Sequence, residues 1–187
     1  RVEEWRKGLD PEKDKAWIEL WELIEQRYTP MLGSRNHDLC DLIAYSICRF
    51  SMEVSLGLAR LMRELWDPVY NDSMNQHMYE ANKQWAACEY SFRAILNHLE
   101  REIYEALNEP QRCIFRICRG LSLHENKRTE AGEFFLSCRE LGKRLGVSHE
   151  KANRMLYEFS EELQLIKLIE NGKAAGRKAT LYKWIIF

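Results

Sequence analysis

The 187 residues carry 28 Lys+Arg against 29 Asp+Glu, a formal net charge of −1, and 45% of them are hydrophobic with only 9 Gly and 4 Pro. That composition can fill a core and excludes a disordered, collagen-like or linker chain, while the length allows one domain or two small ones. The near-neutral total is a sum of unlike halves: residues 1–110 hold 13 basic and 20 acidic side chains, a net of −7, whereas residues 111–187 hold 15 and 9, a net of +6, an asymmetry that points to a nucleic-acid partner for the basic half.

The first half reads as helices. Asp10-Pro11 supplies an N-cap followed by proline at the first helical position, where a missing N–H costs nothing. Trp17, Leu20, Trp21, Ile24 and Tyr28 then recur along one helical face, and Thr29-Pro30 with Gly33-Ser34 ends the run. Two apolar helices follow at about 38–50 and 52–66, with Ser51 as the cap between them and Asp67-Pro68 as the stop. After the polar stretch 71–76, Met78, Ala81, Trp85, Cys88, Phe92, Ile95, Leu99, Ile103 and Leu107 step in threes and fours. This predicts one long helix of roughly 30 residues, on the order of 45 Å.

The second half changes character at Pro110. A helix bearing Ile114, Phe115, Ile117, Cys118 and Leu121 precedes a polar loop at 124–133, and Phe134-Phe135-Leu136 reads as a short strand. Ser137-x-x-Glu140 is a capping box opening a short helix to Leu145, and Gly146-Val147-Ser148 makes a tight turn into a second helix through Glu161. Residues 165–170 and 180–187 are rich in β-branched and aromatic side chains and flank the basic, glycine-punctuated tip 171–178, the pattern of a hairpin. The expected fold is therefore mainly α, an N-terminal helical bundle over 1–109 and a C-terminal winged helix-turn-helix over 110–187 whose small β-hairpin is the wing.

That motif would present its second helix to a DNA major groove. Ser148, His149, Lys151, Asn153, Arg154 and Tyr157 are its expected contacts, with Asn153 and Arg154 as base readers because Asn and Arg pair bidentately with adenine and guanine. Glu150 argues against tight contact at its own position. Arg139, Lys143 and Arg144 on the preceding helix, and Lys173, Arg177, Lys178 and Thr180 on the wing, would meet phosphates. Winged helices also dock proteins, so an interaction module and a transcriptional regulator with a dimerising or sensing helical half are the competing readings.

Enzyme chemistry finds no foothold. The stretch Gly172–Thr180 has the wrong spacing for a phosphate loop, and neither G-x-S-x-G nor H-E-x-x-H occurs. Cys113-x4-Cys118 and His37-x2-Cys40 each lack a matching second pair, so no metal and no cofactor are expected. Of the six cysteines, Cys40, Cys48, Cys88, Cys113 and Cys118 lie in helical apolar patterns, which suits reduced thiols in a cytoplasmic protein. No apolar run approaches the length of a membrane span, and the charged residues 1–15 are no signal peptide, so no membrane partner is expected. The start at Arg1 rather than Met suits a piece of a longer protein.

Two stretches carry a resemblance. Gly33-Ser34-Arg35-Asn36, with Leu39, Leu42 and Ala44 on the helix that follows and Glu53 to Leu58 opening the next, resembles the C-terminal helical module of phage and plasmid primases and primase-polymerases, which often begins with G-x-R-N. Gln76-His77-Met78-x-x-Ala81, F-F-L-S-C-R-E-L-G-K-R-L-G-V-S and G-R-K-A-T-L-Y-K-W are similar to regions after that module, so the resemblance spans 33–187 and its helical part 33–107. It implies a non-catalytic accessory portion of a replication primase that binds duplex or template DNA and other replication proteins. It further implies a template or nucleotide contact for Arg35 and Asn36. Read from the residues alone, that pair caps and buttresses its helix.

Overall fold

Buried tryptophan, leucine and isoleucine side chains organise the chain into two compact units in the computed structural model, which describes residues 2–8, 15–27, 35–67, 70, 72–123, 130–172 and 179–185. One unit comprises residues 1–46 and 52–90, the other 47–51 and 91–187. Among the described residues no helix is long and apolar enough to cross a membrane, and all six cysteines are free thiols.

In the first unit, helices α1 (Val2–Gly8), α2 (Lys15–Arg27), α3 (Arg35–Ser46), α4 (Met52–Leu65) and most of α5 (Met74–Ile95) surround an aromatic core. Trp21 packs edge-on to both Trp5 and Trp66, and Trp66 packs edge-on to Tyr70. Edge-to-face geometry places the positive rim of one ring on the negative face of the next. Leu42, Leu58, Ala59 and Met62 are fully buried, as the spacing of α3 and α4 requires. The cap at Asp10-Pro11 and the stop at residues 28–34 lie outside the described residues.

The second unit joins α6 (His98–Ala106), α7 (Glu109–Ser122), α8 (Cys138–Leu145) and α9 (His149–Tyr157) to an antiparallel sheet of β1 (Glu133–Leu136), β2 (Ile166–Glu170) and β3 (Thr180–Trp184), in the order β1-β3-β2. The chain is thus mainly helical with one small sheet. Phe134 stands opposite Tyr182 and Ile166 opposite Trp184, and the β2 register slips between Leu168 and Glu170, leaving Ile169 as a bulge. A run of edge-on or tilted rings, Phe92–Tyr104–Phe115–Trp184, ties the helices to β3.

The single long helix expected through 78–107 is two helices. Asn97 accepts from the Glu100 amide at 2.9 Å while Glu100 Oε2 accepts from the Asn97 amide at 3.1 Å, so a capping box starts α6 where α5 has ended. The break rotates the apolar face. Ile95 and Leu99, placed in the core by periodicity, are 69% and 50% exposed, and Leu96 and Glu100 are buried in their stead. Charge and packing also divide the chain differently: the charge sign changes at Pro110, the second residue of α7, whereas shared burial begins at Ser91.

Candidate nucleic-acid interface

Helices α8 and α9 meet through a three-residue turn whose geometry is set by two glycines. Gly146 has φ +70°, a left-handed conformation that L side chains rarely adopt. The turn closes as Gly146 N–H donates to Lys143 O at 3.3 Å and Val147 N–H to Gly142 O at 2.9 Å. Gly142 has a separate role: a Cβ there would lie 2.8 Å from the Val147 carbonyl oxygen, so only a residue without one lets the turn fold back on α8. Ser137 caps α8 by accepting from the Glu140 amide at 3.0 Å, and Ser148 caps α9 by accepting from the Lys151 amide at 3.3 Å. The carboxylate of Glu140 binds Arg144 Nε at 2.9 Å.

Ala152 and Leu156 bury the inner side of α9, continued by Phe159 in a π-helical turn at Glu158–Glu162, so the regular helix ends at Tyr157, short of Glu161. Glu150, Asn153, Arg154 and Tyr157 span about 100° on the opposite side, and with His149 and Lys151 all are exposed. Arg139 on α8 is exposed as well. His149 Nε2 lies 3.0 Å from Glu150 Oε1. The backbone N–H at the helix start, then the Ser148 hydroxyl, hold the Glu150 carboxyl below the usual carboxylate range, which fixes a negative charge in this otherwise basic face.

Three further expected contacts, Lys143, Arg144 and Thr180, are only partly exposed. Arg144 is only 18% exposed and, besides Glu140, reaches the Arg49 carbonyl at 3.4 Å. Lys143 is half-buried. Thr180 Oγ1 accepts from the Gly172 amide at 3.4 Å and so holds the base of the hairpin. Lys173, Arg177 and Lys178 lie outside the described residues.

In the first unit, Arg35 is the first residue of α3 and its Nη2 sits 2.6 Å from Asp72 Oδ2, the pair being 16% and 13% exposed. Arg35 Nη1 donates to Asn36 Oδ1. Arg63 Nε donates to the Asp72 carbonyl at 2.9 Å, and buried His77 places Nδ1 3.6 Å from Asp72 Oδ2 while Nε2 bonds the Ala59 carbonyl at 2.9 Å. Asp72 thus gathers residues from α3, α4 and α5, and Arg35 and Asn36 buttress the start of α3 in this network.

Sequence reasoning missed Gly142 and the segment 47–51. Gly142 had a signal, a small residue four before the turn glycine. The segment had none, because its partners Cys113, Gly120 and Arg144 lie more than sixty residues further along the chain. Compared with family models, curated proteins and solved structures, the chain matches none.

Proposed function

We propose that the second unit is a winged helix-turn-helix that binds duplex DNA, with α9 entering the major groove and the 171–178 tip as its wing. In this reading the chain is the non-catalytic DNA-binding portion of a primase-like replication protein. The observation that carries it is the two-sidedness of α9. Its inner side is locked at Ala152 and Leu156, while Asn153, Arg154 and Tyr157 stand exposed together on its outer side and Lys151 is exposed on its flank. Asn153 offers a donor and an acceptor to an adenine edge, Arg154 offers two donors to a guanine edge, and Arg139 and Lys151 supply charge for flanking phosphates. The primase assignment rests on the G-x-R-N resemblance and on the order of helical unit and basic unit.

Fluorescence anisotropy of a labelled duplex with the full chain tests the α9 assignment. Replacing Asn153 and Arg154 by Ala together costs at least about tenfold in affinity, since each good bidentate contact contributes about 1–3 kcal/mol. Unchanged affinity would remove α9 from the interface.

One set of side chains favours a second reading, a protein-docking module. Tyr157 is 60% exposed, Leu168 and Ile169 on β2 are 44% and 41% exposed, and Glu161 and Glu162 stand exposed just past α9. Apolar and acidic residues together suit a protein surface better than a phosphate backbone. Absence of duplex binding even at low salt would select this reading.

A further inference from the structure

His77 is fully buried in the first unit, and the bonds around its ring leave a place for one more proton. Its Nε2 lies 2.9 Å from the Ala59 carbonyl, which can only accept, so Nε2 carries a hydrogen in both charge states of the ring. In the neutral ring Nδ1 is therefore a bare acceptor. It is buried without a hydrogen-bond partner and lies 3.6 Å from Asp72 Oδ2, itself an acceptor. A proton on Nδ1 turns that meeting of two lone pairs into an ion pair. The same Oδ2 is already held by Arg35 Nη2 at 2.6 Å.

Charge balance decides which partner yields. The charged groups gathered here are Arg35 from α3, Arg63 from α4, Asp67 just past α4 and Asp72 ahead of α5, two cations against two anions. Tyr70 stacks on the ring and turns its hydroxyl to Asp38 at 2.6 Å. A protonated His77 leaves the group with one uncompensated positive charge in a poorly solvated space. Arg63 is fixed by the Asp67 carboxylate at 3.1 Å and by the Asp72 carbonyl at 2.9 Å. Arg35 is held by Asp72 and by the side chain of its exposed neighbour Asn36, so it is the cation most easily given up to solvent. We infer that His77 is a proton-operated latch, which on protonation at Nδ1 takes Asp72 Oδ2 from Arg35 and frees the start of α3. The latch does not rest on the DNA assignment. Burial pushes the His77 pKa below its ordinary value near 6.5, so the latch is closed at neutral pH and opens in acid.

The test is amide hydrogen exchange of the full chain, read by mass spectrometry on peptides from α3 and α4 and corrected for the intrinsic pH dependence of exchange. It is run at about pH 7.5 and about pH 5, either side of the ordinary histidine pKa. In the unsubstituted chain the first turns of α3 exchange severalfold faster at the lower pH, and their rise exceeds that of α4. His77→Gln, whose amide keeps the Ala59 bond, loses this rise. Arg35→Gln exchanges fast at the start of α3 at both pH values, because nothing is left for the proton to release. Protonation of His77 also weakens the unit as a whole, so a rise shared equally by α3 and α4 overturns the latch, as does no rise at all. A full rise retained at α3 in His77→Gln or in Arg35→Gln overturns it as well, the second variant leaving the buried ring in place.

Discussion

A methyl group on Gly142 would press against the Val147 carbonyl oxygen at 2.8 Å. Such overpacking costs about 1–3 kcal/mol, which outweighs the ~1 kcal/mol that alanine gains as a better helix former. Gly142→Ala therefore lowers the urea midpoint of the second unit; an unchanged midpoint would mean that the α8–α9 turn yields freely. Gln164 shows the opposite case. It sits at φ +52°, where a side chain costs about 1–2 kcal/mol, so Gln164→Gly raises stability by about 0.5–1 kcal/mol after the added freedom of the unfolded chain is counted. Within the proposed interface, Glu150→Gln removes a fixed negative charge and raises duplex affinity severalfold at low salt, an effect that fades as salt screens it.

His77 makes the first unit sensitive to pH. Burial pushes its pKa below the ordinary value near 6.5, more than the nearby Asp72 carboxylate lifts it. The unfolded chain therefore takes up a proton that the folded chain resists. This part of the stability is present above about pH 6.5 and is lost as pH falls from there toward the folded-state pKa. Five of the six tryptophans lie in this unit, so urea denaturation followed by tryptophan fluorescence reads it directly. The midpoint drops between pH 7.5 and pH 5.5, values chosen about one unit either side of the ordinary histidine pKa. It drops less in His77→Gln, whose amide reaches the Ala59 carbonyl without titrating.

At the scale of elements, local chemistry was legible and continuous periodicity misled. The side chains of Ser137 and Ser148 cap the starts of α8 and α9, the left-handed backbone of Gly146 ends α8, and the strands at 133–136, 166–170 and 180–184 follow their β-branched and aromatic runs. The join of α5 to α6 was hidden because apolar residues keep their three-and-four spacing straight through it. The signal against one helix was Asn97-x-x-Glu100, and its energy is that of a cap: Asn97→Ala costs about 1 kcal/mol, measured as a lower urea midpoint. The ionic network around Asp72 could not be read from sequence. Arg35, Arg63, Asp72 and His77 come from separate elements, and only packing brings them within 4 Å.

For the molecule as a whole, the division by packing keeps the charge asymmetry first seen by composition. Residues 1–46 and 52–90 hold 10 basic and 16 acidic side chains, a net of −6, while residues 47–51 and 91–187 hold 18 and 13, a net of +5. The transfer of Arg49 to the basic unit is the part composition could not foresee, since it depends on a fold-back of residues 47–51 onto α7 and α8. A basic unit of this size gains affinity for DNA chiefly by releasing counterions, so its affinity must fall with salt. The most direct test of the DNA-binding proposal is therefore duplex affinity of the full chain from about 50 mM to about 200 mM salt, for the unsubstituted protein and for the Arg139→Ala, Lys151→Ala double variant. The account predicts binding that weakens log-linearly with salt and a slope about 1.8 shallower in the double variant, two phosphate contacts at about 0.9 each. No binding at the low-salt end, or the same slope in both proteins, would contradict it.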